Sequence, residues 1–324
     1  MTMAIRIHEH GGPEKMVWED IAVATPGPGE ALVEHRAVGL NYIDIYMRTG
    51  LYPLTLPAVL GMEGAGVVIA VGEGVENVKP GARVAYAAQP VGAYAQSRLI
   101  PADRLVTLPD DISDPVAAAM MLQGLTAQYL LRRTYRVKPG DTVLIHAAAG
   151  GVGLIVCQWA KHLGARVIGT VGSDEKAEIA RQHGCDFPIV YTRENFTNRV
   201  REITGGAGVP VVYDSIGKDT FMGSLDCLAP MGVMVTFGNA SGPVEPINPG
   251  LLGQKGSLFL TRPSLFTYTA KRDDLAAMAA ELFEVVRGGQ VKIEVNQTYP
   301  LKQAAQAHSD LEARKTTGST VLLP

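Results

Sequence analysis

Residues 142–171, TVLIHAAAGGVGLIVCQWAKHLGARVIGTV, constrain the fold of this chain more than any other stretch. A short apolar run, TVLI, meets small residues and glycines. An apolar-periodic segment ending at Gly164 follows, and then a second apolar run, ARVIGTV. Strand, glycine turn, helix and strand within about 30 residues make a βαβ unit, whose crossover forces the two strands parallel. Aligned on its last glycine, AAGGVG sets Ala148, Gly150 and Gly153 against the pattern G-x-G-x-x-G, with alanine at the first glycine. The positions that would face a pyrophosphate, Gly150, Gly151, Val152 and Gly153, are intact. Gly150 lets the backbone approach phosphate, Gly153 lets helix and strand pack closely, and the amides at the helix start, backed by the helix dipole, hold the anion. The same residues also suit a tight strand-to-helix turn with no ligand; the three flanking elements favour dinucleotide binding.

The alternation continues beyond this unit. Strands FPIVY, VPVVYDS, GVMVTFG and GSLFLTRP are separated by helical patterns from Asp174, over 196–204 and over 219–228. Strands apolar along their whole length belong to a parallel sheet covered on both faces, so this part reads as a doubly wound Rossmann domain. The first hundred or so residues differ. IRIHEH, MVWEDIAVA, EALVEHRAV, GAGVVIAVG, RVAYAA and RLVTLP alternate and are cut by Gly and Pro, the signature of an all-β region. One short helix interrupts it, NYIDIYMRTG, with Asn41 as N-cap and Gly50 as stop. A long helical pattern then opens at Ser113, Asp114 and Pro115, and the domain boundary is expected inside it. A helix over 273–287, the strand VKIEVNQTYP, another helix and GSTVLLP return to the first domain. The expected division is 1–125 with 268–324, and 126–267. VKPG occurs twice, at Val78 and Val137, each read as a type II turn with Pro second and Gly third.

At 324 residues with 47% hydrophobic content, the chain is long enough for two packed cores. A net charge of −3 gives no field suited to nucleic acid or an acidic membrane surface, so a small-molecule partner is expected and nucleic acid is not. The three cysteines, Cys157, Cys185 and Cys227, show no CxxC spacing and fit reduced thiols. MTMAIRIHEHGG lacks the apolar core of a signal peptide, and no run approaches membrane-spanning length; a cytoplasmic protein is the expectation.

In a dinucleotide unit the end of the second strand discriminates between NAD and NADP, because an acid there bonds the ribose 2′-hydroxyl and repels a 2′-phosphate. Here the strand ends TVGSDEK, with Gly172 and Ser173 in place of the acid. Ser173 can bond a phosphate oxygen and Lys176 can reach it as a point charge. Asp174 and Glu175 argue the other way unless they serve the dipole of the next helix, and Lys176 also suits a solvated helix face. NADPH is the favoured cofactor.

The segments LGMEGAGVVIAVGEGV and GARVAY, with the domain order above, resemble the medium-chain dehydrogenase/reductase family over essentially the full length. The resemblance implies a GroES-like β-rich catalytic domain beside the Rossmann domain. Zinc-dependent members carry Cys in G-x-C-x-x-D and His in G-H-E. This chain has Asn41 in GLNYID, Met62 in GMEG, neither Cys nor His in MMLQGLTA, and no four-cysteine lobe. Asn and Met do not serve zinc, so no metal is expected. NYIDIYMRTGLYP, LQGLTAQYLL, VLIHAAAGGVGLIVCQWAK, GTVGSDEK and FGNASGPV resemble the zinc-free NADPH:quinone oxidoreductases, which include the zeta-crystallins.

Without a Lewis acid to polarise a carbonyl, an acceptor that already tolerates electrons is favoured, and a quinone is one. The resemblance implies that reaction in a cleft between domains, one-electron reduction to a semiquinone or two-electron reduction both being open. It places Asn41 and Asp44 near the nicotinamide and its ribose. Tyr46 and Tyr52 fall in the substrate pocket, where a tyrosine can stack on the ring or donate to its oxygen; ordinary packing is the other reading of Tyr42 and Tyr46. Further cofactor contacts fall on Tyr129, Tyr191, Ser215, Phe237 and Gly238, and Arg314 matches a position reaching a phosphate, or is a surface arginine ending a helix. The strand GSLFLTRP, between Gly256 and Pro263, is expected at a sheet edge that pairs two subunits into a homodimer. Two other functions compete: reduction of enoyl or enone double bonds with NADPH, and a zeta-crystallin-like structural or RNA-binding role, against which the near-neutral charge weighs.

Overall fold

Alternating apolar residues carry the N-terminal part of the chain into antiparallel sheet, as a period of two requires. The computed structural model describes residues 1–324, which divide into one unit of 1–125, 269–287 and 293–324 and a second of 126–268 and 288–292. The first unit opens with β1 (Thr2–Ile7), β2 (Met16–Ile21), β3 (Glu30–Leu40), α1 (Tyr42–Arg48), β4 (Ala58–Val59), β5 (Glu63–Val71), β6 (Arg83–Ala87), β7 (Ser97–Pro101) and β8 (Val106–Thr107). Helix α2 (Asp114–Tyr129) passes from the first unit to the second between Leu125 and Thr126, and a π-helical turn, Leu130–Thr134, follows it.

The second unit runs β9 (Thr142–Ile145), α3 (Gly151–His162), β10 (Arg166–Val171), α4 (Asp174–Gln182), β11 (Phe187–Val190) and α5 (Phe196–Ile203). It continues with β12 (Val209–Asp214), α6 (Phe221–Cys227), β13 (Leu228–Thr236), α7 (Gly250–Gln254), β14 (Phe259–Thr261) and α8 (Leu265–Tyr268). The chain then returns to the first unit with α9 (Arg272–Arg287), β15 (Val295–Pro300), α10 (Ala304–Glu312) and β16 (Ser319–Leu323).

Two sheets build the first unit. One has the order β2-β1-β4; the other runs β15-β16-β3-β5-β6-β8, with β7 also on β3. The register of β3 against β5 sets Gly39 opposite Glu63. A Cβ on Gly39 would lie 2.2 Å from the Ala118 carbonyl oxygen and 2.3 Å from Glu63 Oε2, so only glycine leaves room there for the carboxyl and for α2.

The second unit is a single sheet in the order β11-β10-β9-β12-β13-β14, every pair parallel. Its order reverses between β9 and β12, the switch point at which open α/β sheets bind ligands beyond their C-terminal strand ends. Leu144, Ile168, Val212 and Met234 are fully buried in it and pack with Phe221 of α6. Burying each such side chain contributes roughly 1.5–3 kcal/mol.

Both Lys-Pro-Gly turns have the expected type II form. Gly81 and Gly140 have φ of 85° and 89°, and Ala82 and Asp141 donate back to Lys79 and Lys138. Two boundaries differ from the sequence reading. The strand expected from Val291 begins only at Val295, because residues 288–292 join the second unit, where the Lys292 backbone exchanges two hydrogen bonds with the Gln158 amide of α3. Tyr268 also lies in the second unit, its ring stacked on Tyr129 at 4.7 Å.

Candidate functional site

The glycine loop lies between β9 and α3, at the switch point. Gly150 is the N-cap of α3 with extended backbone, no side chain caps the helix, and no acid stands in its first turn. The amides that open α3 are therefore left for an external acceptor. Gly153 is required by packing: a Cβ there would lie 2.2 Å from the Ala147 carbonyl oxygen. A Cβ on Gly150 would meet only that same oxygen, at 3.2 Å, so the loop is open on its outer side. Ala147 takes the left-handed φ of 54° that turns the chain from strand into loop.

At the end of β10, Ser173 caps α4 by accepting from the Lys176 backbone amide at 3.3 Å, which leaves its hydroxyl hydrogen as a donor. Gly172 lies under the Tyr191 hydroxyl, 3.0 Å from where its Cβ would be. Arg193, which sequence reasoning missed, reaches across from the end of β11 and bonds both carboxylate oxygens of Asp174. That pairing holds the Asp174 carboxyl below its ordinary range and offsets the negative charge beside Ser173. The only signal in the sequence was the basic residue two positions past the strand end in YTREN.

Ser215 and Phe237 follow β12 and β13 at the same sheet edge, and a Cβ on Gly238 would lie 2.3 Å from the Ser215 carbonyl oxygen. The second unit thus brings Gly150, Gly151, Val152, Gly153, Gly172, Ser173, Lys176, Tyr191, Ser215, Phe237 and Gly238 to the C-terminal edge of one sheet. Tyr129 ends α2 with its ring covered by Tyr268. His146 is a packed residue. Ser224 Oγ donates to Asp214 and so accepts from His146 Nε2 at 2.9 Å, while Thr170 Oγ1 donates to Nδ1 at 2.8 Å. Burial holds this imidazole below its ordinary pKa.

In the first unit, Asn41 joins β3 to α1. Its backbone amide donates to Asp44 Oδ2 at 2.9 Å, its side-chain amide donates to Glu63 Oε2 at 2.7 Å, and its Oδ1 accepts from Gln123 at 3.1 Å. Glu63 Oε1 accepts from the Leu122 amide of α2 at 2.8 Å. Both carboxyls are fully buried, and burial pushes Asp44 up to about 7 and Glu63 up to about 8. Tyr94 donates to Asp44 Oδ2 at 3.0 Å and accepts from His308 Nε2 at 2.9 Å; His308 Nδ1 accepts from Arg48, whose guanidinium forks onto Glu312. Sequence reasoning missed Glu63, Tyr94 and His308 as parts of this corner.

Asp44 Oδ1 is the exception: buried, with no hydrogen-bond partner. A carboxyl with a raised pKa and an unsatisfied oxygen can accept from or donate to a bound polar group near neutral pH. Tyr46 and Tyr52 stand nearby in the chain, their rings edge-on at 5.2 Å, with the Tyr52 amide bonded to the Tyr46 carbonyl. Arg314 is exposed just past α10 with φ of 58°. No group of three or more His, Cys, Asp or Glu stands in metal-ligating proximity. Within the second unit, the open loop at Gly150 and the uncapped start of α3 fit a pyrophosphate, and the acid-free end of β10 fits a phosphorylated ribose.

Residues 151–284 match the family model described as zinc-binding dehydrogenase, and residues 27–110 the alcohol dehydrogenase GroES-like domain. A quinone oxidoreductase of Pseudomonas aeruginosa is 55% identical, the match covering 100% of this chain and 100% of that protein. A 2-haloacrylate reductase of a Burkholderia species is 50% identical over 100% of this chain and 99% of its own. The crystal structure of Escherichia coli quinone oxidoreductase complexed with NADPH, 50% identical, has a TM-score of 0.98 over 99% of this chain and 100% of that one.

Proposed function

Since the chain belongs to the medium-chain dehydrogenase/reductase family, in its quinone oxidoreductase branch, we propose that it reduces quinones with NADPH. The observation that carries this reading is the end of β10, where Gly172 and Ser173 replace the acid that would repel a 2′-phosphate and Arg193 neutralises Asp174. The acceptor follows from the full-length relation to quinone oxidoreductases.

When bound, the nicotinamide supplies the hydride. The amides of Gly151, Val152 and Gly153 would hold the pyrophosphate, which Gly150, its own amide bonded to the Ala147 carbonyl, lets approach the backbone; Ser173 and Lys176 would take the 2′-phosphate, and Arg314 would reach a phosphate. Tyr129, Tyr191, Ser215, Phe237 and Gly238 line the rest of the cofactor site. Asn41 fixes Asp44 by its backbone bond, and Asp44 Oδ1 serves the nicotinamide ribose. Tyr52 donates a hydrogen bond to the quinone oxygen as negative charge develops there, and Tyr46, edge-on against it, holds the ring in place.

Reduction of an activated carbon–carbon double bond is the second reading, favoured by the relation to the 2-haloacrylate reductase. Comparing NADPH oxidation with a naphthoquinone, a crotonyl thioester and a simple enone separates the two; turnover with the thioester or enone above that with the naphthoquinone would overturn the quinone assignment.

Dimerisation through β14 belongs to the same proposal. This edge strand has one unpaired side and exposes Phe259 and Leu260, and sedimentation tests it. No helix is long and apolar enough to cross a membrane. The three buried free cysteines agree with a cytoplasmic location.

A further inference from the structure

We propose that the first unit carries a second small-molecule site, a pocket built on Arg98 that takes an amphipathic carboxylate. The pocket has a volume of about 710 Å³ and lies among the end of β2, the loops at 53–55 and 89–92, and β7. That volume is within the range of about 300–1,000 Å³ typical of ligand sites. Its walls are mostly apolar, with Val23, Leu54, Val59 and Val91 among them, and none of Asn41, Asp44, Tyr46 or Tyr52 contributes.

Arg98 is the only charged residue in the wall, and it is 7% exposed. Its Nε donates to the Leu99 carbonyl at 3.1 Å and its Nη2 to the Pro90 carbonyl at 2.8 Å, while the Tyr86 ring lies 5.4 Å below. Nη1 has no partner at all. A buried guanidinium normally meets a carboxylate, since burying an uncompensated charge is costly. Here no acid lines the pocket.

Gly92 lies against that guanidinium with no side chain of its own. A Cβ on Gly92 would sit 3.3 Å from Arg98 Cζ and 3.5 Å from Nη1, so any side chain there would cover the guanidinium. Its φ of 139° further restricts the position to glycine. An apolar pocket with one buried cation that no acid in its wall balances matches a monoanion with an apolar tail. A carboxylate balances the single charge, whereas a phosphate dianion would leave one negative charge buried.

Isothermal titration of the full-length protein, held saturated with NADPH, tests this with octanoate and octan-1-ol as probes. Octanoate is expected to bind at least about tenfold more tightly than octan-1-ol, as a charge-assisted hydrogen bond implies. Arg98→Met should bring the two probes to equal affinity. Ala22→Trp, on the exposed rim, should weaken both and decides the matter if the Arg98 variant does not fold. Equal binding of the two probes to the unmodified protein, a preference that survives Arg98→Met, octanoate binding unaffected by Ala22→Trp, or no octanoate binding up to about 5 mM would each overturn the site.

Discussion

The side-chain amide of Asn41 donates to the Glu63 carboxyl at 2.7 Å, in a corner sealed from solvent. The pair occupies GLNYID and GMEG, the segments in which zinc-dependent members of the family carry Cys and His. Asn41 stands where those members carry Cys, and Met62, next to Glu63, where they carry His; Asp44 lies one helical turn from Asn41.

The buried carboxyls make stability depend on pH in a defined direction. Glu63 and Asp44 titrate near 8 and 7 in the fold and near 4 in an unfolded chain. Between about pH 4 and 8 the native state keeps protons that the unfolded state has released, so their contribution to stability falls as pH rises. His308, pushed down to about 3 chiefly by burial and then by Arg48, acts oppositely. The unfolded chain binds its proton below about pH 6.5, so stability is lost as pH falls through that window. Urea unfolding should show a shallower loss between pH 5 and 8 for Glu63→Gln than for the parent, and a shallower loss between about pH 6.5 and 4 for His308→Asn. Parallel curves would contradict the assignment.

Gly153→Ala places a methyl 2.2 Å from the Ala147 carbonyl oxygen. Relief requires the loop to move off α3, at a cost of about 1–3 kcal/mol and with loss of the phosphate cradle. Thermal unfolding should fall by several degrees and NADPH should cease to protect against it. Undiminished protection would show that the loop does not hold the cofactor.

Tyr52→Phe keeps the edge-on packing against Tyr46 and removes only the hydroxyl. Turnover on a naphthoquinone should drop about three- to tenfold or more, with NADPH affinity unchanged. Unchanged turnover would leave Tyr52 as packing.

Arg193→Ala frees the Asp174 charge beside Ser173. Because both side chains are more than half exposed, the effect should be small, a rise of about threefold in KM for NADPH with that for NADH unchanged. An equal rise for both cofactors would mean that Arg193 acts on the fold rather than on the 2′-phosphate.

Local periodicity made most of this architecture readable. The strand, glycine turn and helix of 142–171 announced the parallel sheet, and Gly172 with Ser173 announced the missing acid. The contacts that stayed hidden join residues far apart in sequence. Parallel pairing of β10 and β11 brings Arg193 to Asp174, and the return of the C-terminus brings His308 to Tyr94. Cys157 and Cys185, read as unrelated thiols, meet in the fold, where each other's company and burial hold the Cys157 thiol well above its ordinary pKa. Val291 and Ile293 are buried without belonging to a strand, so alternation there marked burial alone.

In the proposed function the end of β10 selects a phosphorylated ribose for quinone reduction. Steady-state kcat/KM for NADPH and NADH with one naphthoquinone tests it most directly. Preference for NADPH by about tenfold or more is expected, with Ser173→Asp erasing most of it. A kcat/KM for NADH equal to or above that for NADPH would contradict it.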